Sequence, residues 1–303
     1  MLEVAYLVEL HMWSKLLENR ASKCAIFLML VWQNILVLSM TTTKGTIIGG
    51  GRIGRLLFEL NGKKDQLLTR GTSNRINADD SGPIYVCTRN DDLSDIIDKT
   101  PEQRRSDLVF LQNGILEDFL VTKGLEKNTQ GLIYFAVSKV GESPIDGVTD
   151  TNPEGLTAAC GVWASDFALR LESGNLTCSV LNERDFNIAM LEKQIWICAF
   201  MAVGSKYKDC TVGEVANNHN AEVRAIISEL AASAAYETGV IFPAALDDRL
   251  IAYARSVAHF PTVLKEFEWR NGWFASISLK RAQRMLPDLS PNHSAVLRKN
   301  NLF

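Results

Sequence analysis

The sequence lacks the residues and spacings that several common classes of site require. Its six cysteines, at positions 24, 87, 160, 178, 198 and 210, form no C-x-x-C pair, and its four histidines are scattered. No metal site is therefore expected, and the cysteines read as small buried hydrophobes in a reduced compartment. An excess of basic charge is also missing: 32 Lys and Arg against 35 Asp and Glu give a net charge of -3, with no basic stripe. The electrostatic case for a nucleic-acid partner falls with it. Internal repeats and low-complexity segments are absent too, so a solenoid or a disordered tail is not indicated for this chain of 303 residues.

What is present is a strand, a glycine turn and a helix. Thr46-Ile47-Ile48 is β-branched, Gly49, Gly51 and Gly54 satisfy G-x-G-x-x-G, and Arg52-Ile53 open an apolar-periodic segment through Leu56-Leu57. In a dinucleotide cradle the first glycine permits the tight turn and the second lets backbone approach a pyrophosphate. The third brings helix and strand together, and the helix N-terminus offers free N–H groups to the anion. The segment Gly49 to Gly54, Arg52 and Ile53 included, is the candidate cofactor-binding loop. The next strand, ending Thr69-Arg70-Gly71, carries no acid where an NAD site usually holds the ribose 2′-hydroxyl. Arg70 there suits a 2′-phosphate, which it can pair with bidentately, so NADP(H) is the expected cofactor; Arg75 is a weaker second candidate, and a solvated surface arginine is the alternative.

Residues 1–40 stand apart. An apolar run from Cys24 to Leu38 follows Lys15, Arg20 and Lys23 in the order of a signal sequence or anchor, yet Gln33-Asn34 interrupts it and it is short for a span. Either these residues are a targeting extension, with organellar or membrane placement, or the start is mis-assigned and a cytoplasmic enzyme begins near Met40. From residue 41 strand and helix patterns alternate, as in a mostly parallel sheet covered on both faces. Strands are expected at Gln66–Thr69, Pro83–Thr88, Asp107–Gly114 and Leu132–Val137, with a short helix at Asp92–Ile97. From about Gly155 the pattern turns helical: Asp185–Val203 is apolar almost all round, and His219–Gly239 and Ala244–Ala258 follow. The expectation is an α/β fold in which a Rossmann-type doubly wound sheet (residues 41–153) precedes an all-α part (residues 154–303).

Chemistry is expected at strand ends and on the first long helix. Arg89, Asn90 and Asn113 lie at carboxyl ends of strands, where such sheets bind ligands. Lys193 stands on the apolar helix, with Ile197, Phe200, Met201 and Gly204 on its face. Desolvation there would lower its pKa and suit it to protonate a carbonyl becoming an alcohol, whereas an edge lysine paired with Glu192 is the bland alternative. The segment Ala258–Phe274 interleaves charges with aromatics, as an ordered site or as a packing ridge held by Glu268 and Arg270; His259 reads as a packing residue.

Together these features resemble ketopantoate reductases: the N-terminal G-x-G-x-x-G, Arg70, the basic Arg89, the Leu-Gln-Asn-Gly ending at Gly114, and the isolated Lys193. The resemblance covers about residues 45–300 and implies a second domain like the C-terminal domain of 6-phosphogluconate dehydrogenase, serving substrate binding and dimerisation. It implies reduction of a small-molecule carbonyl or 2-oxo acid, with Lys193 as general acid. Asn113 would orient cofactor and substrate, Glu266 would bind the substrate hydroxyl, and a homodimer stays open. Two departures follow from the same comparison. Ile197 and Met201 stand where the family has asparagines, and Thr262 is the sole hydroxyl in a shortened serine-rich segment, so a polar substrate is disfavoured. A catalytically idle NADP(H)-binding protein and a true 2-dehydropantoate 2-reductase are the rival readings.

Overall fold

The computed structural model describes residues 42–71 and 75–303, so the expectations for the N-terminal extension lie almost entirely outside the described residues. Residues Thr43–Phe303 form one compact unit. A seven-stranded sheet runs in the order β2-β1-β3-β4-β5-β6-β7, with β1 at Thr46–Ile48, β2 at Gln66–Leu68, β3 at Ile84–Val86, β4 at Leu108–Phe110 and β5 at Thr129–Leu132. These five pair in parallel, β6 (Ala158–Cys160) pairs antiparallel to β5, and β7 (Ser179–Val180) runs parallel to β6.

Alternation along the central strands explains why β3 and β4 are wholly apolar. Ile47, Tyr85 and Val109 face one layer with Leu57 and Phe167, while Ile84, Val86, Leu108 and Phe110 face the other with Leu93 and Ile97. The central strands β3 and β4 are buried on both faces, as a parallel sheet covered by helices requires. The order reverses between β1 and β3, which opens a crevice at the carboxyl ends of β1, β3 and β4.

The helices that matter to the site are α1 (Arg52–Leu60), α2 (Leu93–Lys99), α3 (Glu117–Thr122), α4 (Ala164–Glu172) and α5 (Glu183–Gly204). Asn182 caps α5, its side chain accepting from Asp185 N at 3.0 Å. The 22 residues of α5 are apolar and long enough to cross a membrane, yet the most apolar window is 67% buried in the protein, the situation of a core helix. Gly204, its last residue, leaves room for Thr262, whose Oγ1 a Cβ there would meet at 2.1 Å. Helices α6 (Val212–Asn218), α7 (Asn220–Thr238), α8 (Leu246–Ser256), α9 (Asn271–Gln283) and α10 (Pro291–Lys299) surround α5 in one apolar cluster.

Two expectations are corrected here. The strand expected at Leu132–Val137 lies at Thr129–Leu132 instead. Gly131 hides it from a propensity reading; a Cβ there would press on the Leu111 and Phe167 side chains, at 2.5 and 3.1 Å. Past Leu132 the chain leaves the sheet, and Tyr134 packs edge-on against Tyr253 at 4.7 Å, in the helical cluster. The sheet also does not stop at residue 153: β6, α4 and β7 extend the doubly wound part to Val180. Their small residues, Ala-Ala-Cys in β6, give no strand signal of their own and are held by pairing with β5.

Candidate active site

The cradle at the end of β1 is built as its glycines require. Gly49 has φ +108, and a Cβ on it would meet Cys87 O at 2.6 Å; a Cβ on Gly54 would meet Gly49 O at 1.9 Å. Neither position tolerates a side chain. Gly51, the N-cap of α1, has an ordinary φ of −73, and nothing lies within 4 Å of where its Cβ would be. That open space is where a phosphate would approach. The first turn of α1 carries no acid and no side chain caps it, so its leading N–H groups are free for an anion. The Ile53 side chain is half-buried and packs against the core. Arg52 reaches across to donate to Val137 O at 3.0 Å.

Arg70 stands just beyond β2 with its side chain 90% exposed and pairs with Asp92 at 3.4 Å; an exposed pair of this kind is worth about 0–1 kcal/mol. Arg75 is exposed on the following loop, and Arg89 is exposed at the carboxyl end of β3. Asn90 is instead buried and structural, donating to Asn113 O at 3.0 Å. Gln112 does similar work, its amide donating to Val86 O at 2.9 Å and Thr88 O at 3.2 Å. These two side chains lock the ends of β3 and β4 together and so fix Asn113.

Asn113, Gly114 and Lys193 line one narrow cavity of ≈ 20 Å³, with Gln194, Ile197, Phe186 and Met190 on its helical wall. Lys193 is 6% exposed. Its ammonium donates to Ile133 O and lies 4.8 Å from the Tyr134 ring centroid. Burial, reinforced by the positive Arg270 nearby, lowers its pKa from 10.5 to about 7; both causes disfavour the charged form. Glu192 is not its partner: Arg249 Nη2 holds that carboxylate at 2.5 Å.

Glu266 pairs with Arg270, not with the cavity directly, and Arg270 takes Glu266 rather than Glu268 as its partner. The backbone of Arg270 is fastened to α5: Gln194 Nε2 donates to Arg270 O at 2.9 Å and to Trp269 O at 3.2 Å. Trp269 O also accepts from Ile115 N at 2.9 Å, and Gly114 exists because a Cβ there would meet this same carbonyl at 2.5 Å. The segment after Pro261 thus closes over the end of β4. Thr262 is taken up structurally, donating to Cys210 O at 2.7 Å, and His259 is exposed with its ring edge-on to Phe260. Met201 accepts from Val263 N at 3.2 Å and does not line the cavity, whereas Ile197 does.

Reading the sequence singled out Lys193, Asn113, Glu266 and the glycines, but missed Gln194 and Arg270 as parts of the site. Gln194 gave one signal, an amide inside an otherwise apolar helix face.

No protein-family model and no curated protein matches the sequence. Solved structures do match its fold. A PanE/ApbA family ketopantoate reductase from Ralstonia eutropha aligns over 86% of this chain and 100% of its own, with a TM-score of 0.58 at 15% identity. A 2-dehydropantoate 2-reductase from Geobacter metallireducens aligns over 85% of this chain and 100% of its own, with a TM-score of 0.57 at 16% identity. A D-mandelate dehydrogenase solved with NADH and anilino(oxo)acetate aligns over 84% of this chain and 96% of its own, with a TM-score of 0.58 at 15% identity. The chain has the fold of the ketopantoate reductases, a doubly wound sheet followed by a helical part, as the motifs in its sequence suggest.

Proposed function

We propose that this chain is an NADP(H)-dependent oxidoreductase that reduces a carbonyl or 2-oxo acid to the alcohol. The observation that carries the reading is Lys193: a buried lysine with a pKa brought down to about 7, set in the cavity beside Asn113 at the crevice of the sheet. Such a group is protonated in half the molecules near neutrality and gives up its proton readily to a carbonyl oxygen gaining charge. The cradle fits a pyrophosphate, since Gly51 leaves open space at an uncapped helix N-terminus. NADPH, when bound, supplies the hydride. Arg70 would read the 2′-phosphate. Asn113, held by the Asn90 bond to its carbonyl, would orient the nicotinamide side, with Arg89 beside it. Lys193 Nζ would leave Ile133 O and donate its proton at the substrate oxygen. Glu266, brought close by Arg270, would serve the substrate end.

A specific observation favours the idle alternative: the cavity holds about one water and the Lys193 ammonium already donates to Ile133 O. True ketopantoate reduction is the third reading, opposed by the apolar Ile197 on the cavity wall.

One experiment separates them. The full chain is titrated with NADPH and NADH by fluorescence, then NADPH loss is followed with ketopantoate and with 2-oxo acids bearing apolar side groups, for wild type and Lys193→Ala. Preferred NADPH binding and a 2-oxo-acid turnover that disappears in Lys193→Ala support the proposal. Binding without any turnover would make the protein an idle binder, and failure to bind either nucleotide would end the whole reading.

A further inference from the structure

Helix α9 turns an uncharged face towards solvent. Along it Gly272, Ser276, Leu279 and Gln283 recur at intervals of three or four, with Ala275 beside them, so all lie on one side of the helix. The first half of that side is the floor of an open groove of ≈ 440 Å³ walled by Phe267 and Phe303. Its hollow at Gly272 is obligatory, because a Cβ there would meet Phe267 O at 2.7 Å. The second half stands proud: Leu279 is 52% exposed, and Leu286, just past the helix, is 41% exposed. The helix ends in a turn in which Met285 N donates to Ala282 O at 2.9 Å and Leu286 N to Arg281 O at 3.0 Å. Such turns ordinarily take glycine at the left-handed position, yet Met285 occupies it with φ 57 and is 95% exposed. Large apolar side chains gathered on one surface mark a site of association.

Size and charge along this face are complementary to the face itself. When two α9 helices lie antiparallel about a twofold axis at Leu279, residues equally far from it in opposite directions face each other. Leu286 then stands over Gly272 of the second copy, Gln283 stands over Ala275, and Leu279 meets its own equivalent. Each projection finds a hollow. The charges obey the same rule. Glu268 precedes α9 and Arg284 follows it; both are exposed, and neither has an ion-pair partner among the described residues. Antiparallel pairing carries the acidic end of each helix to the basic end of the other, an arrangement the helix dipoles also favour. A twofold contact needs one patch that is complementary to itself, and an unrelated partner would need neither the size gradient nor the charge reversal.

We propose that the face of α9 from Gly272 to Leu286 is an interface with a second copy of this chain, packed antiparallel in register about Leu279. The pairing bears on the crevice as well. Phe267, on the groove wall, belongs to the short turn Phe267–Trp269, and the Trp269 carbonyl of that turn accepts from Ile115 N and Gln194 Nε2. Each copy therefore braces, in the other, the segment that closes over the end of β4. The interface is independent of the chemistry assigned to Lys193.

Sedimentation equilibrium of the full chain tests the proposal. Wild type should sediment at twice the 33.7 kDa of one chain, with a dissociation constant below about 100 µM. Leu279→Glu sets two like charges against each other on the axis and should weaken the dimer about 30-fold or more, the scale of a central interface residue. The position is half in solvent, so the variant should melt like wild type by circular dichroism. A charge reversal fixes the register without touching the apolar face: Glu268→Lys and Arg284→Glu should each weaken association several-fold, and the two together should restore it. A monomer at every concentration up to about 100 µM, a dimer indifferent to Leu279→Glu, or a double reversal that fails to restore association would overturn the proposal. Nucleotide binding, measured beside each sedimentation run, reports on the functional reading separately, since its loss would leave this interface standing.

Discussion

The ammonium of Lys193 donates to the carbonyl of Ile133, the residue at which the chain leaves the sheet after β5. One hydrogen bond therefore ties the long core helix to the edge of the crevice, and it uses the side chain best placed for acid chemistry. Held there, it is a structural peg; under the proposed function, the same ammonium released from Ile133 would be the proton source.

That double role sets a pH dependence. With a pKa of about 7, Lys193 loses its proton as pH rises, so the rate of carbonyl reduction should fall above about pH 7 while alcohol oxidation gains. Lys193→Met should cost about 10²- to 10⁴-fold in kcat. Stability should move the other way. Between pH 7 and 10.5 the unfolded chain holds a proton on this lysine that the folded chain does not, so the group adds stability as pH rises through that window. Below pH 7 the full penalty of a buried charge applies. Urea unfolding should find Lys193→Met more stable than wild type at pH 6, with the difference shrinking towards pH 10; a constant difference would place the lysine in solvent.

Two glycines of the cradle, Gly51 and Gly54, should separate by experiment. Gly51→Ala meets no atom and requires no unusual backbone angle, so it should fold like wild type and yet weaken nucleotide binding at least tenfold, about 1.4 kcal/mol. Gly54→Ala collides with the Gly49 carbonyl and should lower the melting temperature before any effect on binding can be read. Circular dichroism melts beside a nucleotide titration check both.

Arg70→Ala should weaken NADPH binding by about 10- to 100-fold, the worth of one charge-assisted pair, and leave NADH binding within about twofold. Its exposed contact with Asp92 contributes about 0–1 kcal/mol, so melting should barely change. Equal loss for both nucleotides would move the 2′-phosphate contact elsewhere, to Arg89 or Arg75.

On the far side of the sheet Asp65 and Arg170 are both fully buried and paired, and Arg170 also holds Thr43 O at 2.9 Å. Asp65 in turn accepts from Gly45 N at 2.8 Å and Asn61 Nδ2 at 2.9 Å. Together they anchor the approach to β1. Asp65→Asn leaves a guanidinium in the interior without its main counter-charge, and about 3–5 kcal/mol of stability should be lost. Equilibrium unfolding in urea measures it, and a loss under 1 kcal/mol would mean that Asp166, 3.9 Å away, takes over.

Local chemistry made part of this protein legible from its residues alone. Period, branching and glycine spacing are short-range signals, so the cradle, the β1, β3 and β4 strands and the helices α5, α7 and α8 lie where the sequence places them, within a few residues. A lysine inside an apolar helix face likewise announces an unusual environment, and Lys193 has one. Segments held by distant partners gave no such sign. Thr129–Leu132 contains a glycine, and Ala158–Cys160 is built of small residues; they are strands because neighbouring strands supply their hydrogen bonds. The ion pair of Arg270 with Glu266, the bond from Gln194 to two carbonyls and the hold of Ile133 on Lys193 join residues 60 to 76 positions apart or set one side chain's rotamer against another's. Sequence determined which chemical groups this protein possesses and which backbone turns it can make. Tertiary packing alone decided which of those groups meet in the crevice, because burial and the loss of water that shifts Lys193 exist only once the sheet and the helices have closed upon each other.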